Sequence, residues 1–136
     1  KKDTIRNIEA VPEFVVNVVS YDLREAMNRS SALLPYGESE FEPAKVTPIA
    51  SEKVRPPRVA ESAVSFECRL HQIVRIGEGK LAGNVVFGTI LLMHVSDRVL
   101  DAEGKVDPEK LDTIGRMGGS WYARTTDRFV LERPGD

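Results

Sequence analysis

Residues 64–76, VSFECRLHQIVRI, form the longest stretch of alternating side-chain character in the chain. The apolar side chains share one face and the polar side chains share the other: Val64, Phe66, Cys68, Leu70, Val74 and Ile76 against Ser65, Glu67, Arg69, His71 and Arg75. This period of two is typical of a β-strand with one buried face. Gln72 interrupts the apolar face, and we expect a bulge near it.

A second long strand follows over residues 84–95, and the turn Gly77-Glu78-Gly79-Lys80 makes the pair antiparallel. Two strands of about a dozen residues each extend roughly 40 Å, which is too long for a flat sheet in a chain of this size. The pair must therefore coil. The sequence predicts a mainly β fold, a strongly coiled antiparallel barrel with peripheral helices.

The segments before this pair supply one more strand and several short helices. Residues 14–19 are almost continuously apolar, which predicts a central strand covered on both faces. A helix with Asp3 as its N-cap is expected to end before Pro12, and a second, capped by Asp22 and Glu25, to end near residue 29. A helical turn follows Ser39, and the proline-rich residues 46–58 predict extended, unpaired chain.

The segments after the pair are predicted to begin with a short helix at Pro108. This helix carries Leu111 and Ile114, and the pair Gly118-Gly119 ends it. A strand over residues 120–125 and an edge strand over residues 129–131 complete the expected elements.

Composition excludes several classes of protein. The 136 residues form one domain, 41% hydrophobic and 29% charged, without the roughly 18 consecutive apolar residues of a membrane span. We recognise no signal peptide. A net charge of −2 argues against a nucleic-acid partner. One cysteine and two histidines argue against an internal disulfide or a zinc site, which fits a reducing cytoplasm.

Most motifs that suggest chemistry fail on spacing. The glycines at 77, 79 and 83 join two strands instead of opening a helix, and the acidic residues 97–107 miss the calcium-loop register. Ser39 lacks the second glycine of a nucleophile elbow. Cys68 falls on the apolar face, His71 falls on the polar face, and His94 has no evident acidic partner. We therefore assign no catalytic residue and no metal ligand.

Two segments remain as candidate ligand sites. At Lys2-Asp3-Thr4 a helix start offers free amides and a hydroxyl to an anion, with Lys1 or Lys2 offsetting the charge of Asp3. The alternative is that Asp3 simply caps a helix with an apolar face. Residues 116–124 combine two glycines, flanking arginines and two aromatic side chains, so a planar or anionic ligand fits there. The alternative is a helix cap followed by an edge strand with core aromatics.

Several segments together resemble the flavin reductase-like FMN-binding split-barrel family. Residues 2–8 resemble its phosphate segment, residues 14–17 the following strand and residues 26–31 the helix end beyond it. Residues 54–62 and 66–68 resemble the lead into its long strand and the start of that strand. The remaining similar segments are residues 88–95, residues 99–101, and Arg116-Met117-Gly118-Gly119 with Tyr122.

The resemblance implies an FMN-binding homodimer that transfers hydride from NADH or NADPH to flavin, or through flavin to a small acceptor. Lys2 and Thr4 would contact the flavin phosphate, Asp3 would shape the helix start, and Gly118, Gly119 and Tyr122 would lie nearer the ring. Family members carry further strands before this point, so we expect residues 1–136 to be the C-terminal portion of the family domain, without its N-terminal strands. Two alternatives stay open: a non-catalytic ligand-binding or dimerisation module, and a flavoprotein acting on a quinone or an aromatic compound.

Overall fold

The computed structural model describes residues 2–79 and 82–135, so Lys1 and Lys80, which enter two of the predictions above, lie outside the described residues. The α-helices in chain order are α1 Asp3–Ala10, α2 Arg24–Arg29, α3 Phe41–Ala44 and α4 Pro108–Leu111. The strands are β1 Glu13–Asn17, β2 Pro48–Ile49, β3 Arg58–Val59, β4 Val64–Ile76, β5 Gly83–Val95, β6 Ile114–Gly118 and β7 Trp121–Arg124. Single 3₁₀ turns cover Tyr21–Leu23 and Asp97–Val99.

The long antiparallel pair β4–β5 is the centre of the fold, as the sequence predicts. Its register shifts between Leu70 and Gln72, where we expect a bulge, and again between Glu67 and Cys68. Strand β1 pairs with the first half of β4, which gives the sheet order β1-β4-β5. The prediction that β1 is central is wrong for the described residues, because it bonds to β4 alone along its length.

A close contact explains the glycine in the middle of β5. A Cβ atom built at Gly88 would lie 2.4 Å from Cζ of Phe14 and 3.2 Å from Cβ of Cys68. The Phe14 ring therefore rests directly on the β5 backbone. Cys68 is buried beneath it, as its place on the apolar face indicates, and burial raises the pKa of its thiol.

The β6–β7 hairpin corrects the prediction for the end of the chain. Helix α4 stops at Leu111, because Asp112 adopts a left-handed conformation with φ of 47°. Residues 114–118 then form a strand that ends at Gly118, and Gly119-Ser120 form the hairpin turn, so Gly118-Gly119 do not end a helix. Backbone bonds from Ile114 to Val19 and from Tyr21 to Asp112 join the hairpin to the chain beyond β1.

Smaller corrections concern caps and short segments. Lys2, not Asp3, occupies the N-cap of α1, and Asp3 is its first helical residue. The Asp22 carboxylate accepts a hydrogen bond from Ser20 and does not cap a helix. The proline-rich segment contains the short β2–β3 pair, and residues 129–131 form no strand. The predicted helix start at Pro108 is confirmed, and Asp107 caps α4 by accepting from the amides of residues 109 and 110.

Candidate functional site

Helix α2 lies between two clefts, and each of its faces contributes side chains to one of them. Side chains three, four and seven positions apart share one face of a helix. Arg24, Met27, Asn28 and Ser31 line the cleft toward the β6–β7 hairpin, whereas Leu23, Ala26, Met27 and Ser30 line the cleft toward β1. Met27 therefore forms a wall of both clefts.

The cleft between α2 and the β6–β7 hairpin, here called the hairpin cleft, has a volume of about 610 Å³. Pockets of roughly 300–1,000 Å³ are typical of small-molecule sites. Three arginines and one carboxylate are the charged residues in its lining: Arg24, Arg116, Arg124 and Glu25.

The aromatic ring of Tyr21 contacts the guanidinium groups of two of these arginines. The Arg24 guanidinium carbon lies 4.2 Å from the ring centre and that of Arg124 lies 4.0 Å from it, both within cation–π range. Arg124 also donates to both carboxylate oxygens of Asp112, at 2.8 and 2.6 Å. These hydrogen bonds lower the pKa of Asp112 and raise the pKa of Arg124, so both groups stay charged at neutral pH.

The hairpin turn brings its glycines and Tyr122 to the same cleft. Gly118 and Gly119 have φ of 111° and 54°, and Arg116 donates from Nη2 to the Gly119 carbonyl at 3.1 Å. The Tyr122 hydroxyl lies 4.0 Å from Sδ of Met27, which is a weak acceptor. Tyr122 is 42% exposed, so it is not the core aromatic of the alternative interpretation.

On the other side of α2 a groove runs along β1 toward the start of α1. It consists of two adjoining clefts of about 210 and 390 Å³, and both include Asn17, Ser30, Ala44, Val46 and Val59 in their lining. The second also includes Asp3 and Thr4. We call the pair the strand groove.

Asn17 presents a fixed hydrogen-bond donor in the strand groove. Its Oδ1 accepts from the amide of Val59 at 3.0 Å and from the hydroxyl of Ser65 at 2.9 Å. Because a backbone N–H can only donate, the oxygen of the carboxamide must face Val59. Among residues 2–79 and 82–135, Nδ2 has no hydrogen-bond partner, so it is the free end of the side chain.

The start of α1 lies at the far end of the strand groove. The Asp3 carboxylate accepts from Arg6 at 3.3 Å, and the Arg6 guanidinium carbon lies 3.6 Å from the centre of the Tyr36 ring. Arg6 thus offsets the charge of Asp3. Lys2 and Thr4 are both exposed.

The two sets of predicted site residues therefore lie in two clefts on either side of α2. Asp3 and Thr4 line the strand groove, with Lys2 directly before them, whereas Gly119 and Tyr122 line the hairpin cleft, with Gly118 directly before Gly119. Met27 is a wall common to the hairpin cleft and the strand groove. Sequence reasoning missed Arg24 and Tyr21, although the spacing of residues 24, 27, 28 and 31 was available as a signal.

A buried ionic cluster lies beneath β4, and sequence reasoning missed it as well. Glu67 is 0% exposed, and its carboxylate accepts from the amides of Glu52 and Lys53 at 2.9 and 2.6 Å and contacts Nε2 of His94 at 2.7 Å. The expectation that His94 lacks an acidic partner is wrong, because Ser65 stands opposite His94 and Glu67 is its diagonal neighbour. Nε of Arg58 lies 3.6 Å from the same carboxylate.

The Glu67 carboxylate is charged across the usual pH range. Burial by itself raises the pKa of Glu67, but the amide of Glu52, the His94 ring and the amide of Lys53 outweigh it and lower the pKa to about 2. The carboxylate fixes the loop at residues 52–53 to the sheet.

One of the rejected motifs, the acidic segment 97–107, forms a local turn. The Asp101 carboxylate closes its own turn by accepting from the amides of Glu103 and Lys105, and within residues 2–79 and 82–135 no group of three metal-ligating side chains forms. In the same residues no helix has the length and apolar character needed to cross a membrane.

The family model of the flavin reductase-like domain matches residues 1–108. The chain belongs to this family. A relative from Aquifex aeolicus is 41% identical over 131 residues, which cover 96% of this chain and 65% of that relative. The chain thus spans about two thirds of the length of a protein that it matches.

Solved structures of flavin reductase-like proteins place the chain in a split barrel. Nitrilotriacetate monooxygenase component B from Bacillus cereus superposes with a TM-score of 0.88 and 34% identity, over 96% of this chain and 65% of that one. A putative flavin reductase with a split barrel domain from Shewanella frigidimarina gives a TM-score of 0.81 at 24% identity, with the same two coverages. The prediction of a mainly β split barrel is confirmed.

Proposed function

We propose that the protein is an FMN-binding oxidoreductase in which NADH or NADPH reduces the flavin. Membership of the flavin reductase-like family supports this proposal. The observation that carries it is the placement of the predicted site residues, because those expected at the two ends of FMN line two clefts on either side of α2 that share Met27 as a common wall.

The start of α1 suits the phosphate end of FMN. The first amides of a helix have no partner within it and carry partial positive charge. Lys2 and the Thr4 hydroxyl flank those amides, and Arg6 offsets the carboxylate of Asp3. These residues fit a phosphate, and Lys2 and Thr4 would hold it.

The hairpin cleft suits the ring end. Gly118 and Gly119 expose backbone at the turn without side chains, and Tyr122 and Met27 offer flat and polarisable surfaces. Between the two ends, Nδ2 of Asn17 would donate a hydrogen bond to the cofactor. Bound flavin supplies the hydride chemistry, and the protein supplies position and electrostatics, so we assign no catalytic acid or base.

We further propose that the protein is a homodimer of the reducing cytoplasm. The free thiol of Cys68 is consistent with that compartment. Beyond the β4 bulge one face of the sheet carries exposed apolar side chains, Val74, Ile76, Val85 and Phe87. A second copy of the chain would cover this face. Sedimentation velocity tests the pairing: Phe87→Ser should shift the protein toward monomer, whereas Leu33→Ser, at a fully exposed apolar side chain outside this face, should not.

Titration of the full-length protein with FMN tests the cofactor proposal. Lys2→Gln and Thr4→Ala should each weaken FMN binding by about tenfold through loss of a charge-assisted contact, with Lys105→Gln in an exposed turn as the matched control. Flavin absorption absent from the purified protein, together with no binding of added FMN, would contradict the proposal. Oxidation of NADH or NADPH with added flavin then measures the activity.

A further inference from the structure

The hairpin cleft concentrates positive charge in a chain whose net charge is negative. Its lining contains three guanidinium groups and one carboxylate, whereas the whole chain carries a net charge of −2. A local excess of this kind attracts anions into a cleft.

The three arginines differ in how many hydrogen bonds and ion pairs they already form within the chain. Asp112 engages Arg124 through two short hydrogen bonds. Arg24 meets the Glu25 carboxylate at 3.7 Å, which is beyond hydrogen-bond range, and donates to the Tyr21 carbonyl at 2.8 Å. Arg24 therefore retains donors for a ligand.

Arg116 is the least engaged of the three. It takes part in none of the ion pairs formed among the described residues. Its hydrogen bond to the Gly119 carbonyl holds the side chain across the turn and uses one nitrogen. A guanidinium has five N–H donors in a planar fork, so several remain for an oxyanion.

We propose that Arg24 and Arg116 bind an oxyanion, a carboxylate or a phosphate, of the substrate that exchanges electrons with the flavin, and that the Tyr122 hydroxyl donates to the same ligand. The assignment of the ligand as substrate rests on the proposed function. The anion site itself rests on the arginines and on Tyr122, whose hydroxyl has a single hydrogen-bond partner among the described residues, the weakly accepting sulfur of Met27.

Two sources supply such an oxyanion, and calorimetry at low ionic strength on the full-length protein distinguishes them. ADP-ribose presents the phosphates of a pyridine nucleotide, benzoate presents the carboxylate of an acidic acceptor, and benzamide is the neutral control. Tight binding of ADP-ribose alone assigns the site to the reductant. Tight binding of benzoate alone assigns it to the acceptor.

The arginine variants decide whether the cleft is the site. Arg24→Gln and Arg116→Gln should each weaken binding of the preferred anion by about tenfold. Arg116→Lys should retain only part of the anion affinity that Arg116→Gln loses, because lysine lacks the planar fork of N–H donors. Arg133→Gln, on an exposed residue near the C-terminus, is the control. Unchanged anion affinity in both cleft variants, or anions that bind no better than benzamide, would overturn the inference.

FMN binding, measured separately, distinguishes a failure of the anion-site proposal from a failure of the proposed function. FMN binding to each variant is read from its absorption spectrum. Normal FMN binding with arginine-independent anion binding refutes only the anion site. Arginine-dependent anion binding to a protein that takes up no FMN supports the anion site and refutes the proposed function.

Discussion

Replacing Glu67 by glutamine should destabilise the protein by about 3–5 kcal/mol at neutral pH, the cost of breaking a buried ionic cluster. Both carboxylate oxygens are used: one contacts the Glu52 amide at 2.9 Å and His94 at 2.7 Å, and the other contacts the Lys53 amide at 2.6 Å. A glutamine therefore turns its NH₂ group toward a donor in either orientation. Each lost hydrogen bond to a charged group is worth about 1.5–3 kcal/mol.

Urea denaturation followed by circular dichroism measures this change. The exposed Glu78→Gln, in the turn after β4, is the matched control and should stay within about 0.5 kcal/mol of the parent. A difference below about 1 kcal/mol between Glu67→Gln and the control would refute the reasoning, because it would mean that the cluster contributes no more than an ordinary surface residue.

The pH dependence provides a second check on Glu67. Its pKa is lowered in the folded protein to about 2, from an ordinary value of 4.5. A depressed folded pKa contributes stability that is fully present above the unfolded pKa and is lost as the pH falls toward the folded one. The parent should therefore lose stability between pH 4.5 and 2 more steeply than Glu67→Gln, and parallel curves would contradict the assignment.

Three further changes test other parts of the fold and site. Gly88→Ala should cost about 1–3 kcal/mol through overpacking against the Phe14 ring, and a Phe14→Leu background should reduce that cost; an equal cost in both backgrounds in thermal denaturation would show that the ring is not the obstacle. Asn17→Asp keeps the acceptor but removes the Nδ2 donor, so FMN titration should show about tenfold weaker binding; unchanged affinity would remove Asn17 from the site. Asp107→Ala should cost about 1 kcal/mol by removing the α4 cap, a loss read from the urea midpoint, and an unchanged midpoint would show that the cap is dispensable.

Periodicity was sufficient to predict the central pair of strands. Alternation over residues 64–76 located β4 with both of its ends, and the break at Gln72 located a register shift. These features depend on local side-chain character, which the sequence states directly. The resemblance supplied the candidate site residues, and in the structure Asp3 and Thr4 line the strand groove whereas Gly119 and Tyr122 line the hairpin cleft.

Long-range contacts explain why the β6–β7 hairpin and the burial of Glu67 could not be predicted from the sequence. The helix expected through Ile114 became a strand because Asp112 turns the chain and the β6–β7 hairpin pairs with residues beyond β1. The polar face of β4 is buried at its start because a loop some fifteen residues earlier donates its amides to Glu67. Local periodicity shows neither the bonds of the hairpin to residues beyond β1 nor the bonds of Glu67 to the loop at residues 52–53.

The position of Tyr21 between two arginines has a consequence for the entropy of binding. A long arginine side chain that is free in solution loses about 0.5–1.5 kcal/mol when a ligand immobilises it. Packing of Arg24 and Arg124 against the one ring restricts both side chains during folding. A ligand that enters the hairpin cleft therefore meets cations that are already ordered, and less of its interaction energy is spent on ordering them.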